Sequence, residues 1–205
     1  MDKPLLHLDF TTGKIGFRLK DANQQHEKLR KVLQLNKHPQ PRVLDMTAGC
    51  GADMMIMAAL GCTVVALERQ PDVYHALNRA LMAAQADPEL SLIASRVTLH
   101  HLDAQTFVAS SAKDFDILYI DPMFSDKSRK AQVNRNMQLL QQLVGDDEDS
   151  DNLLTLAFQL APRRIIVKRP KYAPALNGPA PTIIFDLKSC RYDVYDYIHY
   201  STTHG

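Results

Sequence analysis

The sequence alternates short runs rich in β-branched residues with longer stretches of helical periodicity, and this alternation limits the folds open to the chain. It is typical of parallel strands joined by helical crossovers. Strands are predicted at Arg42–Met46, Thr63–Glu68, Val97–His101, Phe115–Ile120 and Ile165–Lys168. Helices are predicted at Asp53–Leu60, Pro71–Ala86, Lys130–Leu143 and Leu153–Leu160. We therefore expect an α/β fold with a mostly parallel sheet.

The pattern changes after the fifth predicted strand. Two further strands are predicted at Thr182–Leu187 and Arg191–Tyr197, and only three residues separate them. So short a connection excludes a parallel crossover, which needs about a dozen residues, and favours an antiparallel hairpin. Five parallel strands followed by such a hairpin give a seven-stranded sheet. By analogy of fold alone, this order is typical of the Rossmann-like class I methyltransferases.

The composition is that of an ordinary globular protein. The 205 residues are 45% hydrophobic and 23% charged, which is neither a disordered nor a membrane composition. No apolar run approaches the roughly 20 residues that span a bilayer. We therefore expect no membrane partner, a cytoplasmic location, and a single domain over residues 1–205. Residues 1–40 are expected to be an N-terminal extension that can be mobile.

A turn with two glycines, Gly49 and Gly51, follows the first predicted strand. Glycine lets a ligand approach the backbone closely and adopts φ angles that other residues avoid. A dinucleotide-binding turn would have a third glycine where Met54 stands. Asp45 and Asp53, on either side of the turn, would repel a pyrophosphate but suit the sulfonium and ammonium groups of S-adenosylmethionine. The turn therefore predicts S-adenosylmethionine as the cofactor.

Two further acidic residues are expected at the same edge of the sheet. Glu68 ends the second predicted strand, where a carboxylate can accept hydrogen bonds from both ribose hydroxyls. Asp103 follows the third predicted strand, where its side chain can meet an adenine amino group. These two residues favour an adenosine-containing ligand, but they do not distinguish S-adenosylmethionine from a nicotinamide cofactor.

The segment Asp121-Pro122-Met123-Phe124 directly follows an apolar strand. Methylating an exocyclic amine of a base requires that its hydrogens be held and that its nitrogen be aligned with the methyl carbon. The Asp121 carboxylate and the Pro122 carbonyl can accept those hydrogen bonds, and proline fixes φ. Phe124 can stack on the base. We therefore predict that Asp121, Pro122 and Phe124 are catalytic residues of a base-amine methyltransferase.

A basic run, Lys168, Arg169 and Lys171, follows the fifth predicted strand. The carboxyl ends of parallel strands meet at one edge, so this run should share a face with Asp121. A formal net charge of +1 argues against a protein that grips nucleic acid over its whole surface, but it allows a local patch. We expect the three cations to hold an RNA backbone; the alternative is a solvated surface.

Adjacent His100 and His101 could suggest a metal site, but neighbouring strand residues point to opposite faces, and no metal is expected. Three other functions remain open. An adenine-N6 methyltransferase acting on DNA or RNA would use a similar amine clamp, although it usually has a second proline where Met123 stands. An NAD(P)-dependent oxidoreductase would share the turn and Glu68. A non-catalytic RNA-binding module would need only the basic run.

Several of these segments together resemble the bacterial ribosomal small-subunit methyltransferase J family. The resemblance runs from Leu8 to about Tyr195 and is carried by Asp45–Asp53, Leu67–Arg69, Tyr119–Phe124, Leu143–Gly145 and Val167–Pro174. It implies methyl transfer from S-adenosylmethionine to a guanine N2 amine of 16S rRNA, with that RNA or the small ribosomal subunit as the partner. It also implies cofactor contacts from Ala52, Asp53, Glu68, Arg69, Asp103, Ala104 and Asp121.

Overall fold

The computed structural model describes residues 6–12, 16, 19, 26–110, 114–122 and 150–197. The strands are β1 Arg42–Asp45, β2 Thr63–Glu68, β3 Val97–His101, β4 Ile117–Ile120, β5 Arg164–Pro170, β6 Ile183–Asp186 and β7 Cys190–Asp196. The described helices are α1 Glu27–Leu33, α2 Ala52–Ala59, α3 Pro71–Ala86, α4 Ser91–Ala94, α5 Ala104–Ser110 and α6 Ser150–Gln159.

All these strands form one seven-stranded sheet in the order β3-β2-β1-β4-β5-β7-β6. The pairs β1–β2, β2–β3, β1–β4 and β4–β5 are parallel, whereas β7 runs antiparallel to both β5 and β6. The predicted α/β fold with a C-terminal antiparallel hairpin is confirmed. The predicted helix at Lys130–Leu143 lies outside the described residues.

The central strands are apolar because helices cover both faces of a parallel sheet. Every residue of β4 is buried, as are the last three of β1. Helix α3 begins with Pro71, a residue whose fixed φ suits a first helical turn. It buries residues at helical spacing, including Val73, Leu77 and Leu81. These layers fix the strand ends from which the site is built.

The described part of the N-terminal extension is packed against the domain. Phe10 and the α1 residues Val32 and Leu33 lie in the main hydrophobic core. Arg164 at the start of β5 is fully buried, and its Nη1 donates to the Val32 carbonyl over 2.6 Å. Burial and a charge-assisted hydrogen bond therefore hold α1 in place.

The turn between β1 and α2 requires its glycines. Gly49 and Gly51 have φ angles of 54° and 74°, in the left-handed region that most side chains avoid. A Cβ on Gly51 would lie 2.8 Å from Met54 Cε and 2.9 Å from Phe10 Cζ. A larger residue would therefore have to displace these side chains and adopt a φ angle that it disfavours.

None of the helices in the described part of the chain has both the length and the apolar character needed to cross a lipid bilayer.

Candidate active site

A pocket opens at the carboxyl edge of the parallel strands, where the sequence predicts the cofactor. Its wall combines the ends of β1, β2, β3 and β4 with one side of α6. It is lined by Met46, Thr47, Gly49, Leu67, Glu68, Arg69, Asp103, Ala104, Gln105, Asp121, Asn152, Leu153 and Leu156. Six residues predicted to bind the cofactor therefore meet around one pocket: Gly49, Glu68, Arg69, Asp103, Ala104 and Asp121.

Glu68 links the end of β2 to the glycine turn. Its Oε2 accepts a hydrogen bond from the Gly49 amide at 3.0 Å, and its Oε1 accepts one from the Gln70 amide at 2.8 Å. Burial raises the pKa of Glu68, and these two amides act against that rise. Each carboxylate oxygen has two lone pairs, so both can accept a second hydrogen bond from a ligand in the pocket.

Asp103 has the hydrogen bonding of a helix N-cap. Its Oδ1 accepts from the Thr106 amide at 2.8 Å, and its Oδ2 accepts from the Thr106 hydroxyl at 2.7 Å. These bonds hold the pKa of Asp103 below its ordinary value. The side chain is thus fixed at the pocket mouth, and further lone pairs remain for a ligand amino group.

Four other predicted cofactor residues do not line the pocket. Gly51 and Ala52 lie where the turn enters α2, and Asp53 is in the first turn of that helix. Asp45 is 1% exposed, and its Oδ1 accepts from the Thr47 amide at 3.0 Å. Burial raises the pKa of Asp45 to about 8, so this carboxyl is mostly neutral at pH 7.

Lys168 lies inside the protein's acidic cluster, which we define as Asp45, Asp53 and Asp121. Its Nζ is 2.6 Å from Asp53 Oδ2 and 2.8 Å from Asp121 Oδ2. Burial alone would lower the pKa of Lys168, but the two carboxylates raise it above the ordinary lysine value. The ammonium group is therefore a permanent counter-charge at the end of β4.

Asp121 is held from two directions. Its amide donates to the Thr47 hydroxyl at 2.7 Å, and its carboxylate receives the Lys168 ammonium. Burial raises the pKa of Asp121 to about 6, with Lys168 opposing the rise and Asp53 adding to it. The Tyr119 hydroxyl donates to Asp53 Oδ2 at 2.8 Å. Asp121 is therefore mostly ionised at neutral pH and has a defined orientation.

Lys168 and Arg169, two of the three residues expected to hold RNA, have hydrogen-bond partners within the protein. Lys168 forms ion pairs with Asp53 and Asp121, and its side chain is only 26% exposed. Arg169 is 4% exposed, and its Nε donates to the Pro174 carbonyl at 3.0 Å. Lys168 reaches Asp121 because β5 pairs with β4, and Arg169 reaches Pro174 within the segment that follows β5. Lys171 is partly exposed at the surface.

Pro122 is buried directly after Asp121, at the end of β4. Phe124, the third predicted catalytic residue, lies outside the described residues. The part of the chain that the structure describes contains no group of three or more histidine, cysteine, aspartate or glutamate side chains suited to a metal ion.

The sequence did not indicate that α6 forms one wall of the pocket, nor that Thr47 binds the Asp121 amide. Asn152, Leu153 and Leu156 reach the pocket from α6, because this helix packs on the sheet beside β4. The Thr47 hydroxyl that receives the Asp121 amide was also missed. Thr47 carried a usable signal, because it lies two residues after the central strand β1, whose neighbour β4 ends just before Asp121.

Comparisons with known proteins agree with this geometry. A family model described as "putative SAM-dependent methyltransferase" matches residues 1–197. Together with the sheet and the pocket, the match defines an S-adenosylmethionine-dependent methyltransferase.

The relatives narrow the family further. The chain is 36% identical over 190 residues to the ribosomal RNA small subunit methyltransferase J of Coxiella burnetii, covering 93% of this chain and 74% of the relative. It is 38% identical over 199 residues to the Aeromonas hydrophila protein of the same name, covering 95% and 80%. The chain belongs to the ribosomal RNA small subunit methyltransferase J family.

A solved structure has the same architecture. The crystal structure of an S-adenosylmethionine-dependent methyltransferase from Neisseria gonorrhoeae matches with a TM-score of 0.72 and 31% identity, covering 95% of this chain and 76% of that one. The predicted family, methyltransferase activity and cofactor are therefore confirmed. The family favours neither the oxidoreductase nor the non-catalytic alternative.

Proposed function

We propose that this enzyme transfers a methyl group from S-adenosylmethionine to the exocyclic N2 amine of a guanosine in 16S rRNA. The observation that carries the proposal is the position of Asp121, an oriented carboxylate on the wall of the same pocket as Glu68. The relatives named ribosomal RNA small subunit methyltransferase J support a substrate in the small ribosomal subunit.

The pocket fits the proposed cofactor chemically. Met46, Leu67 and Leu156 supply apolar surface for a flat adenine ring. We assign the ribose hydroxyls to Glu68, whose oxygens keep acceptor capacity, and the adenine edge to Asp103. S-adenosylmethionine, when bound, supplies a methyl group made electrophilic by its sulfonium. The enzyme's own task is to hold this group and the amine in line.

Asp121 is assigned to the amine. Its carboxylate accepts a hydrogen bond from the N2 amine, and the Pro122 carbonyl is the second proposed acceptor. As the carbon–nitrogen bond forms and the carbon–sulfur bond breaks, the alkylated nitrogen becomes acidic and releases a proton. No strong base is needed for this step, and a carboxylate with a pKa of about 6 can accept the proton at neutral pH. Phe124 remains a proposed stacking residue for the target base.

Lys168 is assigned as a positioning residue. Asp45 is mostly neutral at pH 7, so the Lys168 ammonium faces two remaining negative charges, on Asp53 and Asp121, and offsets one of them. Its hydrogen bond to Asp121 Oδ2 turns the carboxylate and keeps it ionised beside a second acid. The proposed RNA contact of the basic run is accordingly limited to Lys171.

Two wider expectations accompany this function. One sheet runs from β1 to β7, which supports a single methyltransferase domain. A substrate in the small ribosomal subunit supports a cytoplasmic site of action.

The test is to map the methylated nucleoside. Small subunits and free 16S rRNA from cells lacking the enzyme are incubated with methyl-labelled S-adenosylmethionine and then digested to nucleosides. We expect label in N2-methylguanosine, and far slower labelling with the Asp121→Asn variant under the same conditions. Label in N6-methyladenosine would replace guanine by adenine as the target. No labelled RNA with either substrate would overturn the proposal.

A further inference from the structure

The segment that follows β5 is held by two arginines. Arg191 Nη1 donates to the carbonyls of Lys171 and Ala173, at 2.9 and 2.6 Å. Arg169 Nε donates to the Pro174 carbonyl at 3.0 Å. We call residues 170–174 the β5 loop. Three of its carbonyls therefore accept hydrogen bonds from guanidinium groups, which are stronger than bonds between neutral partners.

The arginines are themselves fixed. Arg191 pairs with both oxygens of Asp193, through Nε at 2.7 Å and Nη2 at 3.0 Å, and Asp193 is completely buried. Arg169 is 4% exposed. Because both side chains have little freedom, the carbonyls that they hold have little freedom as well. The backbone of the β5 loop is thus rigid before any ligand arrives.

This rigid loop presents an aromatic ring to solvent. Tyr172 is 90% exposed, the highest value among the exposed large hydrophobic residues described. The ammonium of Lys171 lies 5.6 Å from the centroid of its ring. The protein therefore orders the backbone on either side of Tyr172 and leaves the side chain available to a partner.

The position of the ring points to the substrate. Ile120 of β4 pairs with Val167 of β5, so Lys168 lies beside Asp121, with 2.8 Å between Nζ and Oδ2. Tyr172 is four residues further along, so its Cα is at most about 14 Å from that of Lys168. The ring and the proposed amine clamp share the carboxyl edge of the sheet.

We propose that Tyr172 is a stacking platform for a nucleobase of the substrate RNA that flanks the methylated nucleotide, with Lys171 beside its phosphate. An aromatic face accepts any base, and a neighbouring cation neutralises the backbone that carries it. A preordered loop loses little freedom on binding. This inference rests on the proposed rRNA substrate and adds a contact to it.

Kinetics test the contact. Tyr172→Ala should raise the KM for free 16S rRNA by about 5- to 150-fold, the equivalent of one lost base–aromatic stack. Tyr172→Phe keeps the ring and should stay within about twofold of the wild type. Leu92→Ala is the matched control, because Leu92 is 69% exposed. It lies in α4, just before β3, and β3 is an outermost strand that β2, β1 and β4 separate from β5. Calorimetric affinity for S-adenosylmethionine should be the same in all of these variants.

Fluorescence tests stacking without catalysis. The chain has no tryptophan, so Tyr172→Trp introduces a single tryptophan at the proposed platform, and its emission can be excited apart from that of the tyrosines. Single-stranded RNA should quench its emission, whereas Leu92→Trp should respond little. An unchanged KM in Tyr172→Ala, or no quenching in Tyr172→Trp, would overturn the inference.

An effect of Tyr172→Ala on assembled subunits but not on free rRNA would instead indicate a ribosomal protein as the partner, which also overturns the inference. The proposed function can fail separately. If the wild type methylates no rRNA, the quenching by single-stranded RNA still decides whether the ring binds bases.

Discussion

Glu68 and Asp121 are both acids at the carboxyl edge of the sheet, yet the protein stabilises their charges differently. Glu68 faces two backbone amides, those of Gly49 and Gln70. Asp121 faces the ammonium of Lys168 and shares it with Asp53. The charge of Glu68 therefore depends on the shape of a turn, whereas that of Asp121 depends on one side chain. A single substitution can remove the second kind of support without changing the backbone.

The largest expected effect comes from changing Asp121, the acid assigned to the target amine; we call its surroundings the amine side of the site. Asp121→Asn should lower the single-turnover rate at saturating RNA by roughly 100- to 1,000-fold, the range for losing one preorganised electrostatic contact. Asparagine keeps the shape but loses the charge, and its NH₂ can point a donor at the amine hydrogens. Affinity for RNA should change much less. A wild-type rate in this variant would show that the turn after β4 is only structural.

Removing the counter-charge should destabilise the fold. Lys168→Met leaves Asp53 and Asp121 without their cation, and we expect the free energy of unfolding to fall by about 3 kcal/mol at pH 8, because the pair is only partly buried. Lys171→Met, at the surface after the same strand, is the control and should stay within about 0.5 kcal/mol. Urea denaturation at fixed pH measures both.

The loss in Lys168→Met should depend on pH with a defined sign. Lys168 lowers the pKa of Asp121, which burial nevertheless raises to about 6. Without the lysine this pKa rises further, so the folded variant retains a proton that the unfolded chain releases. The variant is therefore less destabilised at pH 5 than at pH 8. Equal losses at both values would argue against a counter-charge role.

A smaller effect is expected from changing Glu68, the acid assigned to the cofactor; we call its surroundings the cofactor side of the site. Glu68→Ala should weaken S-adenosylmethionine binding by roughly 1.5–3 kcal/mol, as for a lost hydrogen bond to a charged group. Glu68→Gln keeps an acceptor oxygen and should lose less. Calorimetry on the two variants separates the roles of charge and hydrogen bonding, and an unchanged affinity in Glu68→Ala would remove the ribose contact.

A last contrast is Asp45, which needs no cation because it is mostly neutral at pH 7. With its pKa raised to about 8, Asp45 keeps a proton that the unfolded chain loses near 3.8. Wild-type stability should thus fall relative to Asp45→Asn as the pH rises from about 4 to about 8. A difference independent of pH, in thermal melts, would contradict the neutral state.

The same contrast separates what the sequence could predict from what it could not. The cofactor side depends on local features, namely the left-handed glycines and an acid at the end of β2, and these are visible in short segments. The strands and the terminal hairpin were equally predictable, because hydrophobic patterning and connection lengths indicate parallel crossovers followed by an antiparallel pair. The first three predicted strands match the structure to within one residue at each end.

The amine side depends on contacts between distant segments. Lys168 was predicted to lie at an RNA-binding surface because basic residues follow it in the sequence. The pairing of β4 with β5 instead brings its side chain beside Asp121. Arg169 differs, because the Pro174 carbonyl that its Nε contacts is only five residues away and is brought within reach by the conformation of the β5 loop. Charge along the sequence cannot reveal partners that only the strand register creates.

Separation along the chain also determines when the acidic cluster can be completed during synthesis. Lys168 follows Asp53 by 115 residues and Asp121 by 47. At about 5–20 residues per second, Lys168 is made roughly 2–9 seconds after Asp121. Throughout that interval the nascent sheet has its carboxylates but not their cation. The end of β4 can therefore reach its final, tightly packed state only after β5 has left the ribosome.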